Sequence, residues 1–291
     1  MKNETYGFSF EYRVNGATLS TMKAGGEVYR VARPATVEEL VALITELESA
    51  GEEYIILGNG SNVVFTSAGY SGTVVLTTAL NAVRDTEEGI VAQAGASLTA
   101  VALRAAERGL TGLEFAYGIP GTVGGGVYMN AGAYGGEIKD VLVSVLCADK
   151  RGRLLTLSAE AAELSYRHSL FKNKEYCILE VTFALGKGDS ASIKSKMAEN
   201  MAKRRDKQPL DYPSCGSAFK RPAGHFAGAL IEGCGLKGFA IGGAAVSEKH
   251  AGFVINRGGA SGDDVATLLE TVRDRVFEET GVLLEREIEI Y

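Results

Sequence analysis

Two glycine-rich stretches are where residue type and spacing first suggest chemistry. Leu57-Gly-Asn-Gly-Ser-Asn62 follows a short apolar run. Gly58 and Gly60 let successive backbone N–H groups turn inward, and Asn59, Ser61 and Asn62 add short polar groups, a nest suited to a diphosphate. The same residues also suit a sharp strand-to-strand turn, because Asn-Gly is a strong turn signal. The second stretch is Gly118-Ile-Pro-Gly-Thr-Val-Gly-Gly-Gly126, continued by Asn130-Ala-Gly-Ala-Tyr-Gly-Gly136. Its uncharged, nearly side-chain-free surface lets a flat or extended ligand lie against backbone. Ile119, Pro120, Val123, Val127, Tyr128 and Met129 argue for an ordered segment rather than a linker.

A third motif, Gly233-Cys-Gly-Leu-Lys-Gly238, matches GxGxxG. A helix is expected before it, over 226–232, and a strand-like Phe239-Ala-Ile follows. The dinucleotide fingerprint needs the opposite order, so a Rossmann site is set aside. No GxxxxGK[ST] occurs, which excludes a P-loop. Arg167 in Ser165-Tyr-Arg-His-Ser-Leu-Phe171, Ser217 in Pro213-Ser-Cys-Gly-Ser-Ala-Phe219 and Glu287 in the last segment are polar residues among apolar neighbours. Spacing alone does not unite them; a surface arginine, a turn serine and an edge-strand glutamate are the plain alternatives. His168, His225 and His250 lack metal-ligand spacing, and no metal is expected.

The elements that must position these residues have clear signals in places. A helix over 36–50 has Thr36 as cap, Glu39 completing a capping box, and Val37, Leu40, Val41, Ile44 and Leu47 as its apolar stripe. Strands are expected at 54–57, 74–76 and 90–94, and a second helix over 97–108, closed by Gly109. More strands follow near 141–148, 154–157 and 178–184. The pattern breaks at Gly186-Lys-Gly-Asp-Ser190, and a polar helix over 190–205 begins a new domain. Short elements fill 214–259. A last helix over 261–280 has Ser261 and Asp264 as cap and partner, and an alternating strand over 282–290 ends the chain.

At 291 residues the chain is long enough for about two domains and a large core. Its 46% hydrophobic and 23% charged residues exclude a disordered chain, and a net charge of −6 gives no case for nucleic acid. Glycine supplies 37 residues, about one in eight against a usual ~7%, so tight turns and close backbone approaches are many. The four cysteines form no CxxC and are expected as free thiols of a reducing compartment. The first residues lack the apolar core of a secretion signal, and no run is apolar enough to span a membrane. A cytoplasmic protein is expected.

Taken in order, GNGSN at 58–62, GIPGTVGG at 118–125, YMNAGAYGGE at 128–137, SYRHSLF at 165–171, SCGSAFKRP at 214–222 and VSEKHAGFVIN at 246–256 resemble the UDP-N-acetylenolpyruvoylglucosamine reductase family. The likeness runs from Met22-Lys-Ala-Gly-Gly26 to Leu284-Glu-Arg-Glu-Ile288. No long insertion separates SYR from SCGS, similar to the shorter subclass, which lacks a tyrosine-bearing loop. The resemblance implies an α+β fold with a non-Rossmann, vanillyl-alcohol-oxidase-like FAD-binding region over 1–188, in subdomains of about 1–70 and 71–188. A substrate domain would occupy 189–283, and 284–291 would return as a strand.

The resemblance also implies a flavoprotein oxidoreductase of peptidoglycan precursor synthesis, with non-covalent FAD and NADPH as co-substrate. GNGSN (Gly58, Asn59, Gly60, Ser61, Asn62) would cradle the FAD pyrophosphate. Gly118, Ile119, Pro120, Gly121, Thr122, Gly124 and Gly125, with Asn130, Ala131, Gly132 and Ala133, would line the flavin. By the same match Arg167, Ser217 and Glu287 would be catalytic, with Ser214 competing for the role of Ser217. Lys207 and Arg221 would bind the diphosphate of a UDP-sugar. An alcohol oxidase of the same superfamily would share the glycine motifs without requiring SCGSAFKRP or Glu287. A non-catalytic nucleotide-sugar-binding module would bind without turnover.

Overall fold

The computed structural model describes residues 2–5 and 7–291. Strands Lys2–Thr5, Phe8–Asn15, Glu27–Ala32, Tyr70–Leu76 and Tyr54–Leu57 form a sheet in that order. The last two pair in parallel, from Tyr54 opposite Thr73 to Leu57 opposite Leu76. A parallel pair needs a crossover, and here Tyr54–Leu57 and Tyr70–Leu76 are linked by the GNGSN segment and the short strand Val63–Val64. Chain contacts divide the protein into two compact units. The first comprises Met1–Phe10, Val31–Asn59 and Thr73–Lys203; the second comprises Glu11–Arg30, Gly60–Gly72 and Arg204–Tyr291.

In the first unit, helix Val37–Ser49 buries Leu40, Leu43, Ile44 and Leu47. Thr36 caps it, its Oγ1 accepting from Glu39 N at 3.1 Å. The expected capping box is displaced by one residue: Glu39 accepts from the N–H of Ala35, at 2.7 Å, outside the cap. A five-stranded antiparallel sheet runs Leu154–Ser158, Leu142–Asp149, Tyr176–Ala184, Gly89–Gln93, Val83–Asp85. Helix Leu98–Glu107, capped by Ser97, packs Val101, Ala102 and Ala105 into the same core as Val145, Val181 and Phe183. The polar helix Ser190–Lys207 joins this core through Ile193 and Met197, four residues apart on one face.

In the second unit, Ser214–Ser217, Phe253–Asn256, Ala244–Val246 and Ala240–Ile241 make a four-stranded antiparallel sheet. Helix Gly262–Thr280 covers it with Val265, Leu268, Leu269, Val272 and Val276. Here the capping box is complete: Ser261 Oγ accepts from Asp264 N, and Asp264 Oδ2 accepts from Ser261 N. Helix Ala227–Gly233 ends in Gly233-Cys-Gly and strand Ala240–Ile241 follows, the helix-then-strand order that excludes a Rossmann turn.

One expectation needs correction. The terminal strand does not extend over 282–290: only Glu289–Ile290 is strand, paired in parallel with Val63–Val64. Leu283 is 65% exposed, and between it and Glu289 the chain makes only the isolated bridge of Arg286 with Phe219. The second glycine stretch is ordered, as expected, and contains a helix, Val123–Tyr128. All four cysteines are free thiols. Among the described residues no helix is long and apolar enough to cross a membrane.

Candidate active site

In the first unit the two glycine motifs meet. Asn59 Nδ2 donates to the Pro120 carbonyl at 3.0 Å, and Gly58 abuts Thr122 Oγ1. Thr122 caps helix Val123–Tyr128 by accepting from Gly125 N. Gly118 N donates to Thr99 Oγ1, and Leu98 N to the Gly121 carbonyl. Gly124 and Gly126 face inward, where a Cβ would stand 2.9 Å from Ala94 Cβ and 3.0 Å from Leu98 Cδ1. Gly125 faces outward and is exposed, with nothing nearer to a would-be Cβ than Thr122 Oγ1 at 3.5 Å. One face of this turn is therefore packed against the core and the other is bare backbone. That asymmetry fits a planar ring system such as a flavin lying on the outer face.

The stretch continues into a tight hairpin, Gly132–Ala133 against Gly136–Glu137. Asn130, before it, is fully buried and left-handed at φ 41°. Its Nδ2 donates to Glu137 Oε2 at 2.8 Å and to the Ser165 carbonyl at 3.0 Å, and its Oδ1 accepts from Lys139 N at 3.0 Å. Ile119, Ala131, Gly132 and Ala133 are half-buried, and Pro120 is exposed.

Asn130 thereby grips the segment that carries Arg167. Ser165 and His168 exchange both backbone hydrogen bonds, closing a turn with Tyr166 and Arg167 at its tip. Arg167 has φ 54°, a conformation costly for a side chain with a Cβ. Such strain persists only where surroundings impose it, and it clusters at functional sites. The imposing bonds are Asn130 to Ser165 and Ser169 Oγ to the Tyr128 carbonyl, at 2.8 Å. The Arg167 guanidinium lies 5.1 Å from the Tyr166 ring centre, a cation–π distance.

In the second unit, Gly60 has φ 62°, and a Cβ on it would fall 1.8 Å from the Leu19 carbonyl oxygen. No other residue fits there. Ser61 and Asn62 are half-buried. Asn62 Nδ2 donates to the Glu287 carbonyl at 2.9 Å, and its own carbonyl accepts from Glu289 N. Glu287 N donates to the Ala218 carbonyl at 2.9 Å, and Lys220 N to the Glu285 carbonyl. Residues 218–220 thus pair with 285–287, placing Glu287 against the residue that follows Ser217. Glu287 Oε2 is buried.

The strand bearing Ser217 is irregular: Gly216 has φ 74° and the register shifts between Ser214 and Ser217. Cys215, between them, is buried with Ser20 and the Val63 carbonyl, and burial raises its thiol pKa. Thr21 Oγ1 donates to the Ser214 carbonyl at 2.7 Å. Asn256 binds the carbonyls of Met22 and Lys23 and the N–H groups of Gly258 and Ala260. Burial holds His250 below the usual histidine range, and its Nδ1 accepts from Gly252 N. Lys207 is the exposed last residue of its helix, and Arg221 is exposed beside the Phe226 ring at 4.9 Å.

Each unit therefore gathers part of the expected set. Gly58, Asn59, 118–125, 130–133 and Arg167 belong to the first; Gly60, Ser61, Asn62, Lys207, Ser217, Arg221 and Glu287 belong to the second. The supporting residues Thr99, Ser169, Glu137, Thr21 and Asn256 were not anticipated. Glu137, Ser169 and Asn256 lie within the motifs quoted above and Thr21 at the edge of one, whereas Thr99 carries no such signal.

Residues 29–158 match a family model described as an FAD binding domain, and residues 208–291 match the C-terminal domain of UDP-N-acetylenolpyruvoylglucosamine reductase. The UDP-N-acetylenolpyruvoylglucosamine reductase of Geobacillus kaustophilus is 48% identical over 269 residues, 92% of this chain and 88% of the relative. That of Caldanaerobacter subterraneus subsp. tengcongensis is 46% identical over 271 residues, 93% and 90% of the two chains. The crystal structure of the reductase from Thermus caldophilus superposes with a TM-score of 0.83 at 33% identity, covering 98% of this chain and 99% of that one. With identity this high along nearly the whole length, and an FAD-binding α+β architecture in place of a Rossmann turn, the chain belongs to the UDP-N-acetylenolpyruvoylglucosamine reductase family.

Proposed function

We propose that Arg167, Ser217 and Glu287 carry out, in this chain, the reduction for which its family is named: the enolpyruvyl group of UDP-N-acetylenolpyruvoylglucosamine becomes the lactyl ether of UDP-N-acetylmuramate, a peptidoglycan precursor. FAD, when bound, accepts a hydride from NADPH and supplies one to the terminal carbon of the enolpyruvyl group. The remaining chemistry falls to side chains. Hydride addition builds an enolate on a carboxylate that is already anionic, so cationic and donor groups must stand where charge grows.

Arg167 presents a planar fork to that carboxylate, and a guanidinium suits two oxygens better than an ammonium does. Its hydrogen-bonded turn fixes the backbone from which the side chain projects. Glu287 acts on the same enolate, protonated or sharing a proton, since an ionised carboxylate would oppose the developing charge. Ser217 Oγ delivers a proton to the carbon next to the carboxylate. A hydroxyl is a weak acid, so it serves only when held within about 3 Å of a strongly basic carbon. The observation that carries this reading is the backbone pairing of 218–220 with 285–287, which seats Glu287 next to the serine strand.

Gly58 to Asn62 cradle the FAD pyrophosphate, and 118–125 with 130–133 line the flavin. Lys207 and Arg221 receive the substrate diphosphate. Residues 1–188 form the cofactor-binding region and 189–283 the substrate domain, with 284–291 returning from it; the reaction takes place in the cytoplasm. The half-reactions test the proton donor. Ser217→Ala is expected to leave flavin bleaching by NADPH intact and to slow re-oxidation by the sugar nucleotide about 100-fold, the scale of losing a key catalytic donor. Equal slowing of both halves would refute the assignment, and loss confined to Ser214→Ala would transfer it to Ser214.

A further inference from the structure

We infer that Asn62 is a positioning residue for Glu287, fixing the register of the C-terminal segment that carries this carboxylate. The inference rests on the reading above that Glu287 acts on the substrate. The last strand of the chain is only two residues long, Glu289–Ile290 beside Val63–Val64, extended by Tyr291 N to the Val64 carbonyl and Thr66 N to the Tyr291 carbonyl. So short a pairing specifies register weakly, and a slip by one residue exchanges the two faces of an extended chain. Here the faces differ sharply. Ile288 is 2% exposed and belongs to the core with Val64 and Leu284, so Glu287 must project the other way. A slip would drive the carboxylate into that core and expose the isoleucine.

Asn62 adds two rungs to this ladder. Its Nδ2 holds the Glu287 carbonyl at 2.9 Å, and its carbonyl receives the Glu289 N–H at 3.0 Å. On the other side the Glu287 N–H is held by Ala218. Both peptide groups flanking the Glu287 Cα are therefore pinned, one by the residue after Ser217 and one by the last residue of the GNGSN loop. Although Asn62 lies in the cofactor motif, its amide thus serves the carboxylate.

The test uses the FAD-loaded enzyme at saturating FAD, comparing Asn62→Ala, Glu287→Gln and the double variant. Anaerobic stopped-flow absorbance follows flavin reduction by NADPH and re-oxidation by UDP-N-acetylenolpyruvoylglucosamine separately. Asn62→Ala is expected to slow re-oxidation about tenfold more than it slows reduction, the effect of a modest displacement of a reacting group. In the Glu287→Gln background the same change should slow re-oxidation by less than about twofold, because residues acting as a unit are non-additive. Hydrogen exchange of the 284–291 peptide should accelerate while helix Gly262–Thr280 stays unchanged. Equal slowing of both half-reactions, an undiminished effect in the Glu287→Gln background, or unchanged exchange at 284–291 would each overturn the inference. A Glu287→Gln enzyme that re-oxidises as fast as its parent would instead overturn the catalytic reading of Glu287.

Discussion

Asn130→Ala removes the residue that ties the 132–137 hairpin to the arginine turn. Three hydrogen bonds are lost, to Glu137, to the Ser165 carbonyl and from Lys139 N. Buried protein hydrogen bonds contribute about 1 kcal/mol each, and Asn130 is fully buried, so the loss is about 3 kcal/mol. Alanine at φ 41° adds about 1 kcal/mol, because a Cβ is disfavoured in the left-handed region where asparagine is better tolerated. For a chain of this size each kcal/mol lowers Tm by about 2 °C, which puts the expected fall near 8 °C. Asn130→Gly loses the same bonds but not the left-handed penalty, so it should unfold about 2 °C above Asn130→Ala. The chain contains no tryptophan, so circular dichroism is the suitable probe, with every sample saturated in FAD because bound ligand raises Tm. A fall below about 2 °C for Asn130→Ala would refute the reasoning, showing that water replaces these bonds without penalty. An Asn130→Gly protein less stable than Asn130→Ala would refute the conformational part.

Other outcomes follow from the same geometry. Gly60→Ala places a Cβ against the Leu19 carbonyl in a left-handed turn, so the purified protein should retain far less flavin colour than its parent; full retention would remove the loop from the cofactor cradle. Native protein should react with a thiol reagent chiefly at half-exposed Cys234, because burial pushes Cys147 up to about 11 and Cys177 up to about 12; mass mapping of the labelled cysteines checks this. Asp264 is held below the usual carboxylate range, first by the Ser261 N–H and also by Gly243 N–H. Its contribution is therefore present above the unfolded carboxyl pKa near ~3.9 and is lost as pH falls through the lower folded value. The stability gap between the parent and Asp264→Ala should narrow below about pH 4 in denaturant titrations; a gap independent of pH would contradict the cap.

Local patterns made much of the fold legible. Thr36, Ser97 and Ser261 each announce a helix that the structure caps with that residue, because capping is a contact over three positions. The alternation Phe8-Ser-Phe-Glu-Tyr-Arg-Val carries a period-two signal, and Phe8–Asn15 forms a strand. The strand expected over 282–290 followed the same signal but is broken: 285–287 makes one isolated bridge to 218–220 and only Glu289–Ile290 forms a strand, since alternation does not specify continuous pairing. Site residues were legible only through motif resemblance. Asn130 reaches Ser165 across 35 positions and Asn62 reaches Glu287 across 225, and no periodicity encodes such pairs. The left-handed backbone of Arg167 was equally hidden, because it is imposed by bonds from Asn130 and Ser169 rather than by the arginine itself.

The central claim is that one arginine fork, one serine hydroxyl and one glutamate act on the enolpyruvyl group. A crystal structure with FAD and UDP-N-acetylenolpyruvoylglucosamine measures it directly. The account predicts the Arg167 guanidinium on the enolpyruvyl carboxylate, Glu287 beside it, and Ser217 Oγ within about 3.2 Å of the carbon that receives the proton. Ser214 in that position, or a carboxylate held by residues other than Arg167, would contradict it.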